Sequence, residues 1–563
     1  MTPSEDIGLP QLSANGKARA AALTAAANVA AKPTSLVSYR STGALVIIGP
    51  SATAFEVAER LPAELHCTVV VDELGGDGAA SDLAKVPRGV TVAREKVVQV
   101  SGHLGQFAVV VSAPPPQGGI NLLQKLANQR THFDLALDLT DPPFLRDALP
   151  PFGYYAPRRD PEALERALRE LPDMIGEFEK PRFFNYNPDI CAHGASGLTG
   201  CTRCLEVCPA GAIISINEEV AVDPYKCQGA GACATACPTG AMRYAYPSVA
   251  DHLTKLASLL KTYRASQGAM PVILYHDAES GKERATALYG SLPENVIPIE
   301  VAELGSVGMD TWLAALAYGA GRVALLPTAA TPEQVIAEVK SQIAYSEAIL
   351  KGMGYAANAI VWLDGDDAAA LDALTNSEQP IASAAAFSSF DDKRTNLRLA
   401  IEHLYEHAPS RQKVTALPRG APFGEVLVNQ DACTLCMSCV GVCPAAALAD
   451  GEDLPQLKFV EGNCVQCGLC ATACPEDAIQ LSPRYLYDPS ERRTARILNE
   501  EAPFHCVSCG KPFATQKMID SMTEKLKGHW MFQSGDALHR VQMCGDCRVR
   551  EMFKAERQRP ETI

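Results

Sequence analysis

CTLCMSCVGVCP (433–444) and CVQCGLCATACP (464–475) carry one spacing twice, Cys-x2-Cys-x2-Cys-x3-Cys-Pro. Outward from them, CTRCLEVCP (201–209) and CQGAGACATACP (227–238) repeat parts of the same pattern. Cys-Pro followed by x-x-Ala and an apolar residue thus occurs four times, from Cys208, Cys237, Cys443 and Cys474, and such repetition marks duplicated modules. Of 20 cysteines in 563 residues, all but Cys67 fall within 191–237, 433–474 and 506–547. The opening MTPSEDIGLP has no basic flank or apolar run, so a cytoplasmic chain is expected. Clustered cysteines in that setting point to metal ligation rather than disulfides. Cys67 reads as a small buried apolar residue before the strand-like TVVVD.

The 433–474 pattern resembles the bacterial two-cluster ferredoxins over about 65 residues. In that pattern three closely spaced cysteines wrap one cubane and the fourth crosses to the other. The proline after the fourth fits a helix start, which needs no N–H. The resemblance assigns Cys433, Cys436, Cys439 and Cys474 to one [4Fe–4S] cluster, and Cys464, Cys467, Cys470 and Cys443 to another. Zinc sites do not use eight cysteines in this crossed order.

The 191–237 group departs from the pattern. Leu198 stands where the first cysteine of Cys201-x2-Cys204-x3-Cys208 belongs, and the Gly-rich loop AHGASGLTG can fold back to deliver Cys191. Ala230 replaces the middle cysteine between Cys227 and Cys233. The crossing rule then gives a complete site of Cys191, Cys201, Cys204 and Cys237. It leaves a three-thiolate site of Cys208, Cys227 and Cys233, which suits a [3Fe–4S] cluster, a cubane with one non-cysteine ligand, or an empty vestige. His193 in the insert is a candidate ligand, or a surface loop histidine.

Cys506-x2-Cys509 and Cys544-x2-Cys547 form a CxxC…CxxC set, with Gly510 permitting a tight turn, and predict a structural Zn²⁺. A rubredoxin-like iron or a further cluster is the rival. Residues 505–563 hold ten Lys/Arg against seven Asp/Glu, a basic end to dock an acidic partner or a solvated charged helix.

Between the cysteine groups the pattern is α/β. ALVIIGPSATAFEVAERL (44–61) reads as strand, turn and helix, and CTVVVDE, FAVVVSA and FDLALDL read as further strands of a mostly parallel layer. Gly49-Pro50-Ser51 with Asp72 is a degenerate Rossmann opening. Ser51 and Ala54 stand where glycines belong and Pro50 lacks an N–H, so no flavin is expected. PVILYHD, VIPIEV, RVALLP and AIVWLDG outline a second α/β layer. The expected order is a flexible tail or marginal helix (1–40), a degenerate Rossmann-like α/β domain (41–180), a ferredoxin module (181–247), an α/β domain (248–410), a second ferredoxin module (411–485) and a zinc-knuckle-type module (486–563).

Two short stretches resemble redox-complex subunits. Gly102-His-Leu-Gly105-Gln-Phe107 is similar to the flavin-and-cluster subunit of heterodisulfide reductases. The run from Gly308-Met-Asp310 to Gly319-Ala320 is similar to the small subunit linking hydrogenases to them, though no cysteine lies between Cys237 and Cys433. The whole pattern is similar to iron–sulfur subunits of formate dehydrogenase or heterodisulfide-reductase-like complexes. The resemblance implies an electron-transfer protein with redox partner proteins. The alternatives are a flavin-dependent oxidoreductase with an internal relay and a non-redox scaffold or maturation factor. The net charge of −15 excludes nucleic acid as a partner. The longest uncharged stretch, 97–124, is broken by Gly102, Gly105 and Pro114–Pro116, so no membrane span is expected.

Overall fold

The computed structural model describes residues 12–71, 86–116, 118–375, 383–452, 454–532 and 535–557. Strand Ala44–Ile48 is buried at every position, as the centre of a two-sided sheet requires. It pairs parallel with His66–Val71 on one side and Leu135–Asp138 on the other. Thr91–Arg94 and Tyr154–Tyr155 complete a five-stranded parallel sheet. The chain reverses its direction of travel across the sheet between Ala44–Ile48 and Leu135–Asp138. A cleft of about 630 Å³ opens at the strand ends there, lined by Gly49, Pro50, Thr53, Thr140, Arg158 and Arg159. Asp72 lies outside the described residues.

FAVVVSA does not join this layer. Ala108–Ser112 pairs antiparallel with Val97–Ser101 and Gly119–Asn121 in a separate three-stranded sheet. Its short connections suit hairpins and cannot span a parallel crossover. The second α/β unit is a four-stranded parallel sheet in the order Val296–Val301, Val272–Asp277, Arg322–Leu326, Ile360–Trp362.

The segment expected as a tail is ordered structure from residue 12 onward. Helix Ala14–Ala27 buries Ala18, Ala22 and Ala26, an every-fourth-residue stripe, against helix Val249–Ala265. Small side chains let the two backbones approach closely. Ser13 caps the helix through the Gly16 N–H, and Arg19 reaches the Val296 carbonyl and lies over the Tyr289 ring. Leu36–Ser41 then pairs antiparallel with Gly176–Pro181. The N-terminal segment therefore ties both α/β units together.

Each cysteine module is a pair of small antiparallel sheets. In the first, Phe184–Tyr186 pairs with Met242–Tyr244 and Ile213–Ile216 with Glu219–Val222. In the second, Gly424–Val428 pairs with Ile479–Leu486 and Leu448–Gly451 with Leu454–Phe459. The second module extends past residue 485, because Arg496–Glu500 also pairs with Leu454–Phe459. A hairpin of Pro503–His505 and Pro512–Thr515 opens the C-terminal unit, followed by helices Gln516–Lys527, Gly535–Val541 and Gly545–Arg557. No helix among the described residues is long and apolar enough to cross a membrane.

The alanine stripe makes a testable prediction. Ala22→Leu overfills a fully buried contact and is expected to cost about 1–3 kcal/mol, whereas Ala20→Leu on the exposed face is expected to cost almost nothing. Urea unfolding midpoints of the two variants check this.

Candidate metal centres

In the second module the structure brings Cys474 to Cys433, Cys436 and Cys439. Burial and then the charges of Cys436, Cys433 and Cys474 push the Cys439 thiol up to about 12. Cys443 in turn lies with Cys464, Cys467 and Cys470. Burial and the neighbouring thiolates push Cys467 up to about 11 and Cys470 up to about 12. Cys443, Cys464, Cys467 and Cys470 line one pocket with Val426, Phe459 and Leu481. Crowded thiols that resist ionisation, as Cys439, Cys467 and Cys470 do, need a cation to hold them as thiolates.

The backbone supplies the complementary part, donors for the anionic sulfurs of such a group. Cys436 sits between Leu435 and Met437, both left-handed at φ 55° and 62°, and Cys467 between Gln466 and Gly468 at 55° and 88°. Left-handed non-glycine residues are costly unless the surroundings enforce them. Such turns gather successive N–H groups on one side, a nest for an anionic group. Further N–H groups reach the sulfurs themselves, from Ala447 to Cys443 and from Ala478 to Cys474, both at 3.3 Å.

In the first module Cys191, Cys201, Cys204 and Cys237 come together, and burial with the charges of the other three pushes Cys204 up to about 12. The insert forms a short hairpin of Gly194–Ala195 and Leu198–Thr199. His193 is not a surface loop residue. It is 2% exposed, with Nδ1 at 2.9 Å from the Cys201 carbonyl and Nε2 at 2.7 Å from Ser215 Oγ. A carbonyl only accepts, so Nδ1 carries the proton and Nε2 accepts from the Ser215 hydroxyl. Both nitrogens are committed, and His193 is a latch for the insert rather than a ligand.

Cys208, Cys227 and Cys233 gather around a pocket that Ala230 also lines. Gly229 and Gly231 flank Ala230 in the left-handed region, at φ 81° and 77°. The loop therefore keeps the wrapping conformation without its central thiol. The turn Leu304–Ser306 of the second α/β unit covers this loop. A Cβ on Gly305 would stand 2.4 Å from the Ala230 carbonyl oxygen, so only glycine fits. From the other side, Lys180 donates to the carbonyls of Tyr225 at 3.0 Å and Cys227 at 2.7 Å.

The C-terminal set is different in kind. The sulfurs of Cys506, Cys509, Cys544 and Cys547 all lie within 4.8 Å of one another, with Cys509 and Cys544 3.7 Å apart. A tetrahedral zinc with bonds of about 2.3 Å sets sulfur–sulfur edges of about 3.8 Å. Among the described residues no other group of cysteines is so tight. Burial pushes the Cys506 thiol up, but N–H groups of Cys544, Cys509 and Ser508 outweigh it and bring it down to about 6. The donor set fits one four-coordinate ion and leaves less room for a cubane. Cys67 stands apart, buried, its thiol pushed up by burial to about 11.

Sequence reasoning missed the residues that join the modules. Helix Lys393–Glu406 starts with two cations, against its own dipole. That anomaly was the available signal. Lys393 Nζ donates to the carbonyls of Ala234 at 2.8 Å, Thr235 at 2.5 Å and Cys237 at 3.0 Å. Arg394 donates to Pro238 O at 3.2 Å in the first module, and to Pro422, Gly462 and Cys464 O at 3.1, 3.4 and 3.1 Å in the second. Arg398 adds a bond to Gly462 O, and Arg203 one to Gly420 O.

Comparison with known proteins falls on the same two regions. Residues 184–238 and 432–479 each match the 4Fe-4S dicluster domain model, so the chain contains two such domains. NADH-quinone oxidoreductase subunit I 2 of Geobacter metallireducens is 27% identical over 103 residues, 16% of this chain and 79% of that protein. Ferredoxin-1 of Caulobacter vibrioides is 42% identical over 52 residues, 9% of this chain; the match spans 44% of the ferredoxin's length.

Removing the shared guanidinium leaves buried carbonyls of both modules short of a donor. Arg394→Met is expected to lower stability by about 3 kcal/mol or more, because each unsatisfied buried group costs about 1–3 kcal/mol. Replacement of the exposed Arg166 by Met is expected to change it by less than about 0.5 kcal/mol. Urea titrations of the iron-loaded proteins provide the comparison.

Proposed function

We propose that this chain is an iron–sulfur electron-transfer protein, a relay subunit of an oxidoreductase complex. It would hold [4Fe–4S] clusters at Cys433/Cys436/Cys439/Cys474, at Cys443/Cys464/Cys467/Cys470 and at Cys191/Cys201/Cys204/Cys237. It would hold a [3Fe–4S] cluster at Cys208/Cys227/Cys233 and a structural Zn²⁺ at Cys506/Cys509/Cys544/Cys547. The observation that carries the reading is the exchange of fourth cysteines around pockets wrapped by left-handed loops, within two matched dicluster domains. When bound, such clusters take up and release single electrons at potentials set by hydrogen bonding and burial.

The chain's own contribution is to bind and tune. N–H groups of Ala447, Ala478 and Met242 donate to cysteine sulfurs and favour the more negative state. Gln466 Nε2 does the same at Cys464 Sγ, at 3.3 Å. The Leu304–Ser306 turn and largely apolar walls surround the Ala230 site, whose three cysteines are half-buried. The similarity to a quinone-oxidoreductase subunit and to a ferredoxin supports protein redox partners. A formate dehydrogenase or heterodisulfide-reductase-like complex is the partner class the resemblance implies.

Anaerobically purified protein is expected to contain about 12 Fe in cubanes, about 3 more at the Ala230 site and about one Zn. Metal analysis showing fewer than about 8 Fe after reconstitution would contradict the three-cubane assignment. A scaffold role predicts clusters that resist reversible reduction, so a redox titration separates it from the relay.

The oxidised protein is expected to show a three-iron EPR signal that disappears on reduction. Ala230→Cys places a thiol on the wall of the same pocket and is expected to replace that signal with one seen only after reduction. An oxidised spectrum with no such signal, unchanged in the variant, would count against the three-iron assignment.

A further inference from the structure

Each dicluster domain pairs two sites within itself, and that leaves open whether the two domains are electrically separate. Their contact surface decides this. Gly200, next to Cys201, packs against Leu469, next to Cys470; a Cβ on Gly200 would stand 2.5 Å from the Leu469 side chain. Leu469 is fully buried in that contact. The two loops that wrap these sites are therefore in van der Waals contact, with no layer of solvent between them. Arg394 then fixes the junction by bonding carbonyls of both modules beside Cys237 and Cys464.

The neighbours of each cysteine give the order. Across the junction, Leu198–Thr199, in the insert just before Cys201, lies against the turn Leu469–Thr472 that carries Cys470. Within the second module the turn Ser438–Gly441, with Cys439, lies against Leu469–Thr472, with Cys470; within the first, Arg203–Glu206, with Cys204, lies against Ala232–Ala236, with Cys233.

We infer that the four cysteine sites form one line through both modules, in the order Cys436 site, Cys467 site, Cys201 site, Ala230 site, joined across the Gly200–Leu469 contact. The inference rests on the cluster assignment proposed above. Between neighbouring sites the step is one electron, one site oxidised and the next reduced, with no bond made or broken. The ends of the line differ. Cys436 is solvent-exposed, next to the C-terminal unit that docks through Thr515 on the Thr434 carbonyl and Lys517 on the Gln430 carbonyl. The Ala230 end is enclosed by the two α/β units, through Gly305 and Lys180. A one-electron carrier protein thus has access at the Cys436 end.

Spin coupling in the dithionite-reduced protein tests the order. Cys227→Ser with Cys436→Ser removes both outer sites and leaves one cubane per module, so any coupling that remains is between modules. The line predicts about 8 Fe and a split EPR spectrum whose splitting in field units does not change between two microwave frequencies. Cys208→Ser with Cys433→Ser removes the same two sites through other ligands, and guards against a folding defect peculiar to one pair. Cys201→Ser with Cys467→Ser removes the inner sites and is expected to abolish the splitting. Two uncoupled cubane spectra in the outer-site variants, with iron retained, would overturn the order while leaving the cluster assignment standing. Splitting that survives loss of the inner sites would overturn it as well. Loss of all iron-dependent signals in the wild-type protein would instead defeat the underlying assignment.

Discussion

Cys474 stands among the cysteines of the first motif of its module, and Cys443 among those of the second. Because of this exchange neither motif can complete a site alone. The helical turn after each motif has to cross the module, and the two halves fold as one unit. The left-handed residues beside Cys436 and Cys467 are unfavourable in a free chain and are enforced only in the assembled loop. Local strain, burial of thiols and ligand exchange are thus three aspects of one constraint, satisfied together when a cation-rich group binds the thiolates.

The same constraint shapes the imperfect module. The Gly229–Ala230–Gly231 loop keeps the conformation although the central thiol is gone. Its enclosure comes from outside the module. Gly305 can approach Ala230 closely because neither residue has a large side chain. Lys393 and Arg394 belong to the second α/β unit yet bond carbonyls around Cys237 and Cys464. The α/β units therefore act as clamps on the cysteine modules. Arg394 is nearly buried, with its guanidinium pushed down to about 10 by that burial and by Arg398, so its charge is held close to the inner sites with little solvent to screen it.

The cysteine spacing made the local sites legible, because ligand geometry depends on a few residues close in sequence. The apolar runs Ala44–Ile48 and Val272–Asp277 were legible as strands for the same reason. What escaped were effects that depend on distant partners. The Ala18/Ala22/Ala26 stripe is too weakly apolar to stand out until its partner helix, more than 200 residues later, is known. FAVVVSA carries the same strand signal in a parallel or an antiparallel sheet, and only its short connections decide between them. His193 has the composition of a loop residue, and nothing in its neighbourhood announces Ser215 as a partner.

Mössbauer spectroscopy of the as-isolated protein, loaded with isotopically enriched iron, reads the occupancy of the cysteine sites directly. Three complete sites and one three-thiolate site place about four-fifths of the iron in cubane environments and about one-fifth in a three-iron environment. A spectrum without a cubane component, or one dominated by isolated tetrathiolate iron, would contradict this assignment.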